Sequence, residues 1–294
     1  MKKTALVIGA SHAGAQVVTS LRQEGWDGDI VLIGEEPHLP YHRPPLSKTF
    51  LAGDKTTAEL AIRPISFYEK NDIQFRQGRV TAINRQCQTI TLSDDTELAY
   101  DKLALCMGAR VRRVELPGSE LKGVHYLRNI ADVEGIQAEL AQAKTAVIIG
   151  GGYIGLETAA SLRKQGLQVV VLEMAERILQ RVTAPELSAF YARVHGEEGV
   201  QIHTGVSVMS LLGDGRVEGV LCGNGAIFPA DIVVVGVGVI ANVELAEAAD
   251  IAVENGIIVD EFCRTIDPSI VAAGDCANHF SKVYQRRIRL ESVP

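Results

Sequence analysis

The sequence predicts an α/β fold with two doubly wound parallel sheets, and two observations lead to this prediction. A pattern of apolar strand, glycine loop, helix, second strand and acidic residue occurs near the N-terminus and again in the middle of the chain. Such a unit joins two parallel strands through a helix, and its loop places backbone N–H groups at the helix N-terminus. The 28 glycines and the hydrophobic content of 47% are consistent with 294 residues that form two sizeable cores.

The first of these units begins at the N-terminus and has an imperfect glycine loop. The strand and loop read Leu-Val-Ile-Gly-Ala-Ser-His-Ala-Gly over residues 6–14, a helix is predicted to Glu24, and the next strand precedes Glu35. Ser11 stands where the dinucleotide-binding pattern has its second glycine, the position at which the chain approaches the phosphates most closely. A carboxylate at the position of Glu35 accepts hydrogen bonds from an adenosine ribose. A tight strand-to-helix turn without a ligand is the alternative for either loop.

The second unit has a complete glycine loop. A strand at 146–149 leads into Gly150, Gly152 and Gly155, a helix is predicted to Gln165, and a strand at 169–172 precedes Glu173. The negative charge of Glu173 would repel the 2′-phosphate of NADPH, so the sequence predicts NADH as the ligand. Arg177, four positions later, leaves NADPH open. Both units are predicted to be Rossmann-like dinucleotide-binding domains.

The second unit is predicted to be inserted into the first, because no low-complexity linker separates the parts of the chain. The remaining segments are a fixed proline-rich loop at 37–48, strands within 73–92, a buried strand at 102–109, a hairpin at 215–228, an apolar strand at 231–238 and a short strand at 265–273 that leads into Gly274 and Asp275. The predicted domains are therefore 1–112, 113–238 and 239–294, where the first and third segments form one domain.

Composition excludes several classes of protein. The net charge of −7 argues against nucleic acid as a partner. The five cysteines show no C-x-x-C spacing, which predicts reduced thiols in the cytoplasm and no redox disulfide. The longest apolar run, at 232–241, is about half of a membrane span, and the N-terminal apolar residues are interpreted as the first strand and not as a secretory signal. The histidines show no metal-ligand spacing, so no metal is expected.

Five strings of residues carry a resemblance to a known family. They are Arg-Pro-Pro-Leu-Ser-Lys at 43–48, Gly-Gly-Gly-Tyr-Ile-Gly-Leu-Glu at 150–157, Arg-Val-Thr-Ala-Pro at 181–185, Gly-Asp-Cys-Ala at 274–277 and Glu-Ser-Val-Pro at 291–294. The chain resembles the oxygenase-coupled, NADH-dependent ferredoxin reductases of the FAD-dependent pyridine nucleotide-disulfide oxidoreductase superfamily. This resemblance implies a glutathione-reductase-like fold, in which an NAD domain at 113–238 is inserted into an FAD domain at 1–112 and 239–294.

The resemblance also implies two sets of cofactor-binding residues. The FAD set is Gly9, Ser11, Ala13, Gly14, Glu35, Arg43, Lys48, Val80, Arg128, Asp275 and Val293. The NAD set is Gly150, Gly152, Ile154, Gly155, Glu157, Glu173 and Gly238. From the residues alone, Asp275 follows a strand at the edge where ligands of doubly wound sheets bind, and the alternative is that it caps a helix.

Lys48 and Glu157 are the catalytic residues that the resemblance implies, as a pair beside the flavin N5. A cation there stabilises the reduced flavin, while the carboxylate holds the lysine and contacts the nicotinamide amide. Without the resemblance, Lys48 is interpreted as a solvated loop lysine and Glu157 as an exposed helix residue.

The implied activity is hydride transfer from NADH to FAD, followed by single-electron transfer to a [2Fe–2S] ferredoxin that serves an oxygenase or a cytochrome P450. A basic rim of Arg286, Arg287 and Arg289 is the candidate docking surface, and an ordinary solvated cluster is the alternative. Two other functions stay open: a nucleotide-binding protein without turnover, and a rubredoxin or nitrite reductase component of the same fold. Members of the family continue into a C-terminal α/β domain beyond the segment that ends here, so the sequence predicts a chain without that interface domain.

Overall fold

In the computed structural model, which describes residues 2–291, the chain forms two compact units. The first unit comprises residues 1–42, 61–110 and 240–294, and the second comprises residues 43–60 and 111–239. The second unit therefore lies, along the chain, between parts of the first. Among the described residues, no helix is both long and apolar enough to cross a membrane.

The strands and helices of residues 2–291 are numbered in chain order. The strands are β1 (Thr4–Ile8), β2 (Asp29–Gly34), β3 (Ile73–Gln77), β4 (Val80–Asn84), β5 (Thr89–Leu92), β6 (Glu97–Ala99), β7 (Lys102–Leu105), β8 (Ala109–Val111), β9 (Val124–Tyr126), β10 (Thr145–Ile149), β11 (Gln168–Glu173), β12 (Val200–Thr204), β13 (Val208–Leu212), β14 (Gly219–Cys222), β15 (Ile227–Pro229), β16 (Ile232–Val235), β17 (Val239–Ala241), β18 (Ile257–Val259), β19 (Ile270–Ala272), β20 (Ala277–Ser281) and β21 (Arg286–Ile288). The helices are α1 (His12–Gln23), α2 (Ile65–Lys70), α3 (Ile130–Leu140), α4 (Tyr153–Lys164), α5 (Pro185–Glu197) and α6 (Glu244–Glu247), with 3-10 helices at Pro44–Ser47 and Thr57–Leu60.

The first unit is built on a parallel sheet in the order β19-β7-β1-β2-β3. Its central strands are apolar on both faces, as expected for a parallel sheet that is covered on both sides, and Leu6, Val7 and Leu32 are at most 1% exposed. Two smaller sheets, β4-β5-β6 and β18-β20-β21, belong to the same unit. The carboxyl ends of β1, β2 and β19 meet at one edge, which is where ligands of such sheets bind.

The second unit repeats this architecture with a parallel sheet in the order β12-β11-β10-β16-β9. An antiparallel sheet, β13-β14-β15, packs into the same apolar core through Leu211, Val220 and Phe228. The predicted hairpin at 215–228 is therefore wider than expected, because β13 at Val208–Leu212 pairs with β14.

The segment 43–60 packs with the second unit, whereas the sequence placed it in the domain 1–112. The prolines at the start of the 3-10 helix Pro44–Ser47 fix its backbone, and Leu46, Leu51 and Leu60 are at most 1% exposed. Gln137 Nε2 donates to Phe50 O at 2.7 Å, so α3 also holds the segment. The identity of the two units as FAD and NAD domains stays a prediction.

The strand predicted at 265–273 is shorter in the structure, where it covers only Ile270–Ala272. Thr265 Oγ1 accepts from Asp267 N at 3.1 Å, Pro268 follows, and strand β19 begins only at Ile270. Because a proline has no N–H group to donate to a strand ladder, the chain forms a turn before Pro268 and the strand begins only after it.

Candidate functional site

The first glycine loop, between β1 and α1, needs glycine at two positions for reasons within the protein. Gly9 has a φ of 110°, and a Cβ on it would lie 2.1 Å from Cys106 O. A Cβ on Gly14 would lie 2.0 Å from Gly9 O, so the helix could not approach the strand. Between them, Ser11 has an extended backbone, with φ −134° and ψ −158°, that any residue adopts. The serine therefore causes no backbone strain.

The second glycine loop, between β10 and α4, has the same two requirements. Gly150 has a φ of 110°, with a Cβ that would lie 2.4 Å from Gly236 O, and a Cβ on Gly155 would lie 2.1 Å from Gly150 O. Gly152 differs, because its φ of −81° and ψ of 179° suit any residue and no atom lies within 4 Å of its added Cβ. Nothing among residues 2–291 requires glycine there, so the space in front of Gly152 is open for a ligand.

The N-terminus of α4 is suited to hold an anion. Gly152 is the N-cap residue and supplies no side-chain hydrogen bond to the first turn, so N–H groups of that turn face the open space. No acidic residue lies in the first turn, and the helix dipole favours a negative charge at this end. Ile154, which the resemblance places at the nucleotide, is 39% exposed in the same turn.

Glu173, at the end of β11, holds the second glycine loop directly. Its Oε2 accepts from Gly151 N at 2.6 Å, and its Oε1 accepts from Ala175 N at 2.8 Å. A carboxylate oxygen accepts more than one hydrogen bond, so both oxygens keep capacity for the hydroxyl groups of a ribose. A ribose bound to Glu173 would therefore lie at the edge of the loop, and this binding stays a prediction.

In the sequence analysis, Arg177 left NADPH open as a ligand of the second unit. In the structure, its guanidinium binds groups of the protein itself. Nη1 donates to Thr183 O at 2.9 Å and to Ser188 Oγ at 2.6 Å, while Nη2 donates to Gln180 O at 3.1 Å. Ser188, which is 3% exposed, donates in turn to Ile178 O. Arg177 thus fastens the loop after Glu173 to the start of α5.

In the first unit, Glu35 lies on the wall of a cavity of about 430 Å³. The other lining residues are Gln77, Gly78, Arg79, Leu92, Ser93 and Asp94. Glu35 Oε1 lies 3.5 Å from Arg79 Nε, and both side chains are mostly exposed. Val80, the first residue of β4, follows Arg79 and packs against the core. The cavity is within the size range of small-molecule sites.

The turn at Gly274 and Asp275 abuts the first glycine loop. Gly274 has a φ of 81°, and a Cβ on it would lie 2.8 Å from Ala13 Cβ. Two predicted parts of the FAD site, Ala13 and the turn that carries Asp275, are thereby brought together. Asp275 is followed by strand β20 at Ala277–Ser281, so the alternative that it caps a helix is wrong.

Lys48 and Glu157, 109 positions apart in the chain, form an ion pair in the second unit. Lys48 Nζ lies 2.6 Å from Glu157 Oε2, and their side chains are 46% and 31% exposed. Lys48 Nζ also donates to Pro44 O at 3.2 Å. Lys48 is thus an exposed loop lysine that also has a carboxylate partner, and Glu157 is half-buried and not an exposed helix residue. Their role at a flavin stays a prediction.

Ser47 is a neighbour of this pair that the sequence reasoning missed. Its Oγ donates to Glu157 Oε2 at 2.7 Å, and its backbone carbonyl accepts from Ser161 Oγ at 2.7 Å. Ser47 and Ser161 are 4% and 7% exposed. No local pattern in the sequence signals such a contact, because it depends on how the 3-10 helix packs on α4.

The remaining predicted residues are distributed as follows. Arg43 Nη1 donates to Arg128 O at 2.6 Å, so these two positions meet within the second unit. Gly238 has a φ of 104°, and a Cβ on it would lie 3.6 Å from Arg181 Nη2. Val293 lies outside the described residues.

The three arginines predicted to form a docking rim differ in their surroundings. Arg287 Nη1 donates to Val259 O and Asn278 O, at 3.2 and 3.0 Å. Arg289 pairs with Glu291 at 2.6 Å, and its side chain is 12% exposed. Arg286 lies exposed on β21.

The five cysteines are unpaired thiols, and those near the first glycine loop are buried. Burial raises the pKa of Cys106 and, with weaker opposing hydrogen bonds, that of Cys276. Both thiols therefore stay protonated and unreactive.

Residues 3–292 match the family described as pyridine nucleotide-disulphide oxidoreductase. The chain is 44% identical over 296 residues to putidaredoxin reductase of Pseudomonas putida, and the aligned region covers 98% of this chain and 70% of the relative. It is 42% identical over 291 residues to rhodocoxin reductase of Rhodococcus erythropolis, and the aligned region covers 98% of this chain and 68% of the relative. The crystal structure of the covalent putidaredoxin reductase–putidaredoxin complex matches with a TM-score of 0.95 and 42% identity, over 99% of this chain and 71% of that chain.

These matches confirm the predicted α/β fold of parallel Rossmann-like sheets and the predicted resemblance to reductases of this kind. The match extends over both glycine loops and the Lys48–Glu157 pair, so it is not limited to one nucleotide-binding unit. The chain belongs to the pyridine nucleotide-disulphide oxidoreductase family.

Proposed function

We propose that this protein is an FAD-dependent reductase that takes hydride from NADH and passes single electrons to a [2Fe–2S] ferredoxin, which serves an oxygenase or a cytochrome P450. The observation that carries the proposal is the combination of two glycine loops in two units with a paired lysine and glutamate. Two loops supply sites for two nucleotides, and the ion pair supplies a charged group for the reacting end of each. A binding protein without turnover has no need of that pair.

The first unit fits the FAD that the family implies. The residues of this unit that we propose for FAD are Gly9, Ser11, Ala13, Gly14, Glu35, Val80 and Asp275. Arg43, Lys48 and Arg128 of the second unit, and Val293 outside the described residues, are proposed on the family resemblance alone. The close approach of Gly274 to Ala13, where an added Cβ would lie 2.8 Å from Ala13 Cβ, supports a common site for the glycine loop and Asp275. Glu35 borders an open surface pocket of the same unit. FAD supplies the chemistry that accepts a hydride and releases electrons singly.

NADH is proposed to bind the second unit through Gly150, Gly152, Ile154, Gly155, Glu157, Glu173 and Gly238. Its pyrophosphate would lie at the N-terminus of α4, in the open space in front of Gly152. Glu173 favours NADH, because a second negative charge beside the carboxylate is unfavourable. Arg177 does not offset this preference, since its guanidinium is already bound to the loop and to α5.

Lys48 and Glu157 are proposed as the catalytic residues. The ammonium of Lys48 stabilises negative charge that develops as a hydride arrives, and this effect is strongest in a site with little water. Glu157 holds the ammonium at 2.6 Å through Oε2, and its Oε1 has no partner among the described residues. That oxygen is therefore available to accept a hydrogen bond from the nicotinamide amide.

The partner is proposed to be an acidic ferredoxin that docks on a basic surface. Arg286 and Arg287 are both exposed, and Arg286 supports this part of the proposal best, because Arg287 donates to two backbone carbonyls and Arg289 pairs with Glu291. Charges at the rim of an interface mainly steer association, so they matter even when the protein carries a net charge of −7. Location in the cytoplasm is part of the proposal and is supported by five unpaired cysteines.

The test is anaerobic reduction of the purified, FAD-loaded protein. We expect NADH to bleach the flavin absorbance and to do so faster than NADPH. The reduced protein should then reduce a [2Fe–2S] ferredoxin faster than a rubredoxin, at a rate that falls with salt. A protein that binds no FAD, or whose flavin NADH does not bleach, would refute the proposal, and preference for rubredoxin would assign it to the other acceptor. Arg286→Glu should lower the salt dependence of ferredoxin reduction, and an unchanged dependence would exclude Arg286 from docking.

A further inference from the structure

We propose that Ser47 is a positioning residue for Glu157, which fixes the carboxylate independently of Lys48; this inference rests on the proposed function. Both donors bind the same oxygen, Oε2, from Ser47 Oγ at 2.7 Å and from Lys48 Nζ at 2.6 Å. The two contacts are not equivalent, because the side chain of Ser47 is short and buried, whereas the side chain of Lys48 is long and exposed.

Ser47 is built into the second unit. Ser47 is 4% exposed and is the last residue of a 3-10 helix that begins with two prolines. Ser161 Oγ on α4 donates to the backbone carbonyl of Ser47 at 2.7 Å. Its side chain has a single rotatable bond before the hydroxyl, so the oxygen has little freedom. The helix that carries Glu157 therefore also holds the serine that orients Glu157.

Lys48 is attached much more loosely. Its side chain is 46% exposed and reaches Glu157 through four methylene groups, and exposed ion pairs of this kind contribute little by themselves. If Lys48 turns its ammonium toward a reduced flavin, the carboxylate would lose one of its two partners. Ser47 keeps Glu157 in place during that exchange, so that Oε1 would stay available to a bound nicotinamide.

The consequence for kinetics is specific. Affinity for NADH comes mainly from contacts with the phosphates and the ribose, which Ser47 does not touch. Orientation of the reacting end depends on Glu157, and misplacement there slows the reaction without weakening binding. Loss of the Ser47 hydroxyl should therefore lower the limiting rate of flavin reduction and leave the dissociation constant of NADH nearly unchanged.

The first experiment is anaerobic stopped-flow reduction of the full, FAD-loaded chain by NADH, with rates expressed per bound FAD. We expect Ser47→Ala to lower the limiting rate by about tenfold, which corresponds to about 1.4 kcal/mol. Glu157→Ala should lower it as well, and Ser47→Ala should have little further effect in that background, because the oxygen that accepts from Ser47 is then absent. The matched control is Thr158→Val on α4, because Thr158 is fully buried and its hydroxyl has no partner among the described residues. It should change the rate by less than about twofold.

The second experiment needs no flavin and measures the contact itself. Urea unfolding of the apoprotein with Ser47→Ala, Glu157→Ala and both together gives the coupling between the two side chains, because alanine at either position removes the hydrogen bond. We expect the product of the two single effects on the unfolding constant to exceed the double effect by about fivefold or more. Absence of coupling would overturn the inference, whatever the enzyme does.

The two experiments separate failure of this inference from failure of the proposed function. A wild-type flavin that NADH does not bleach refutes the proposed function, while the apoprotein still reports on the coupling. A wild type that is bleached normally, with Ser47→Ala reduced at the same limiting rate, overturns the inference and leaves the proposed function intact. An effect of Ser47→Ala on the NADH dissociation constant alone would also overturn it, because that result places Ser47 in binding.

Discussion

Replacement of Gly152 by alanine should separate binding of NADH from stability of the fold. The backbone there has φ −81° and ψ 179°, and an added Cβ meets no atom within 4 Å. A glycine-to-alanine change in such a conformation stabilises a protein by about 0.4–1 kcal/mol, because it restricts the unfolded chain. The methyl group would stand where the pyrophosphate approaches the backbone. Loss of one hydrogen bond to a charged phosphate costs about 1.5–3 kcal/mol, or roughly 10- to 100-fold in affinity.

The assay is a titration of the protein with NADH, followed by urea unfolding of the same preparation. We expect weaker binding of NADH together with an equal or higher unfolding midpoint. Gly196→Ala is the control, because Gly196 lies in α5, also has no atom within 4 Å of its added Cβ, and should gain stability without loss of affinity. An unchanged affinity in Gly152→Ala would show that this loop does not hold the pyrophosphate.

Three further substitutions and one thiol-labelling experiment test other parts of the structure. Gly155→Ala forces a Cβ to 2.1 Å from a backbone oxygen and should destabilise the protein by about 3 kcal/mol or more in urea; a smaller loss would mean that the loop relaxes easily. Glu173→Gln should raise the rate of flavin bleaching by NADPH relative to NADH by about tenfold, because it removes a charge beside the ribose, and a constant ratio would contradict the argument. Burial raises the pKa of Asp231, but hydrogen bonds from two backbone N–H groups and a threonine hydroxyl outweigh it and lower the pKa. Its stabilisation is therefore complete above the ordinary carboxyl range and lost as pH falls through the lowered pKa, so Asp231→Asn should be less stable at pH 7 by about 1–3 kcal/mol and flatter in acid unfolding. Exposed Cys87 should react with a thiol reagent before buried Cys106, and the reverse order would show that the first unit opens readily.

The glycine loops were predictable because their information is local. A strand, a turn with φ of 110° and a close helix contact are specified by residues that follow one another, so Gly9, Gly14, Gly150 and Gly155 could be assigned from spacing. The acid at the end of the next strand, Glu173, could be assigned for the same reason.

Contacts between distant segments could not be read from the sequence in this way. The pairing of Lys48 with Glu157 joins a 3-10 helix to α4 and was available only through the family resemblance. The contacts of Ser47 and Arg177 carried no sequence signal, because their partners include backbone carbonyls, which every residue has. The place of 43–60 in the second unit likewise depends on burial of leucines that a loop prediction treats as incidental.

The difference between the two glycine loops has a physical meaning that follows from these assignments. Each loop has two glycines that the protein itself requires, one for a positive φ and one for contact between helix and strand. Neither loop has a backbone conformation that requires glycine at the position between these two. This position is Ser11 in the first loop and Gly152 in the second. Under the proposed function, the first loop would hold a resident cofactor with a serine at this position, and the second would hold a nucleotide that binds and leaves in each cycle. Gly152 is therefore the position in the second loop at which the proposed nucleotide, and not the fold, would require glycine.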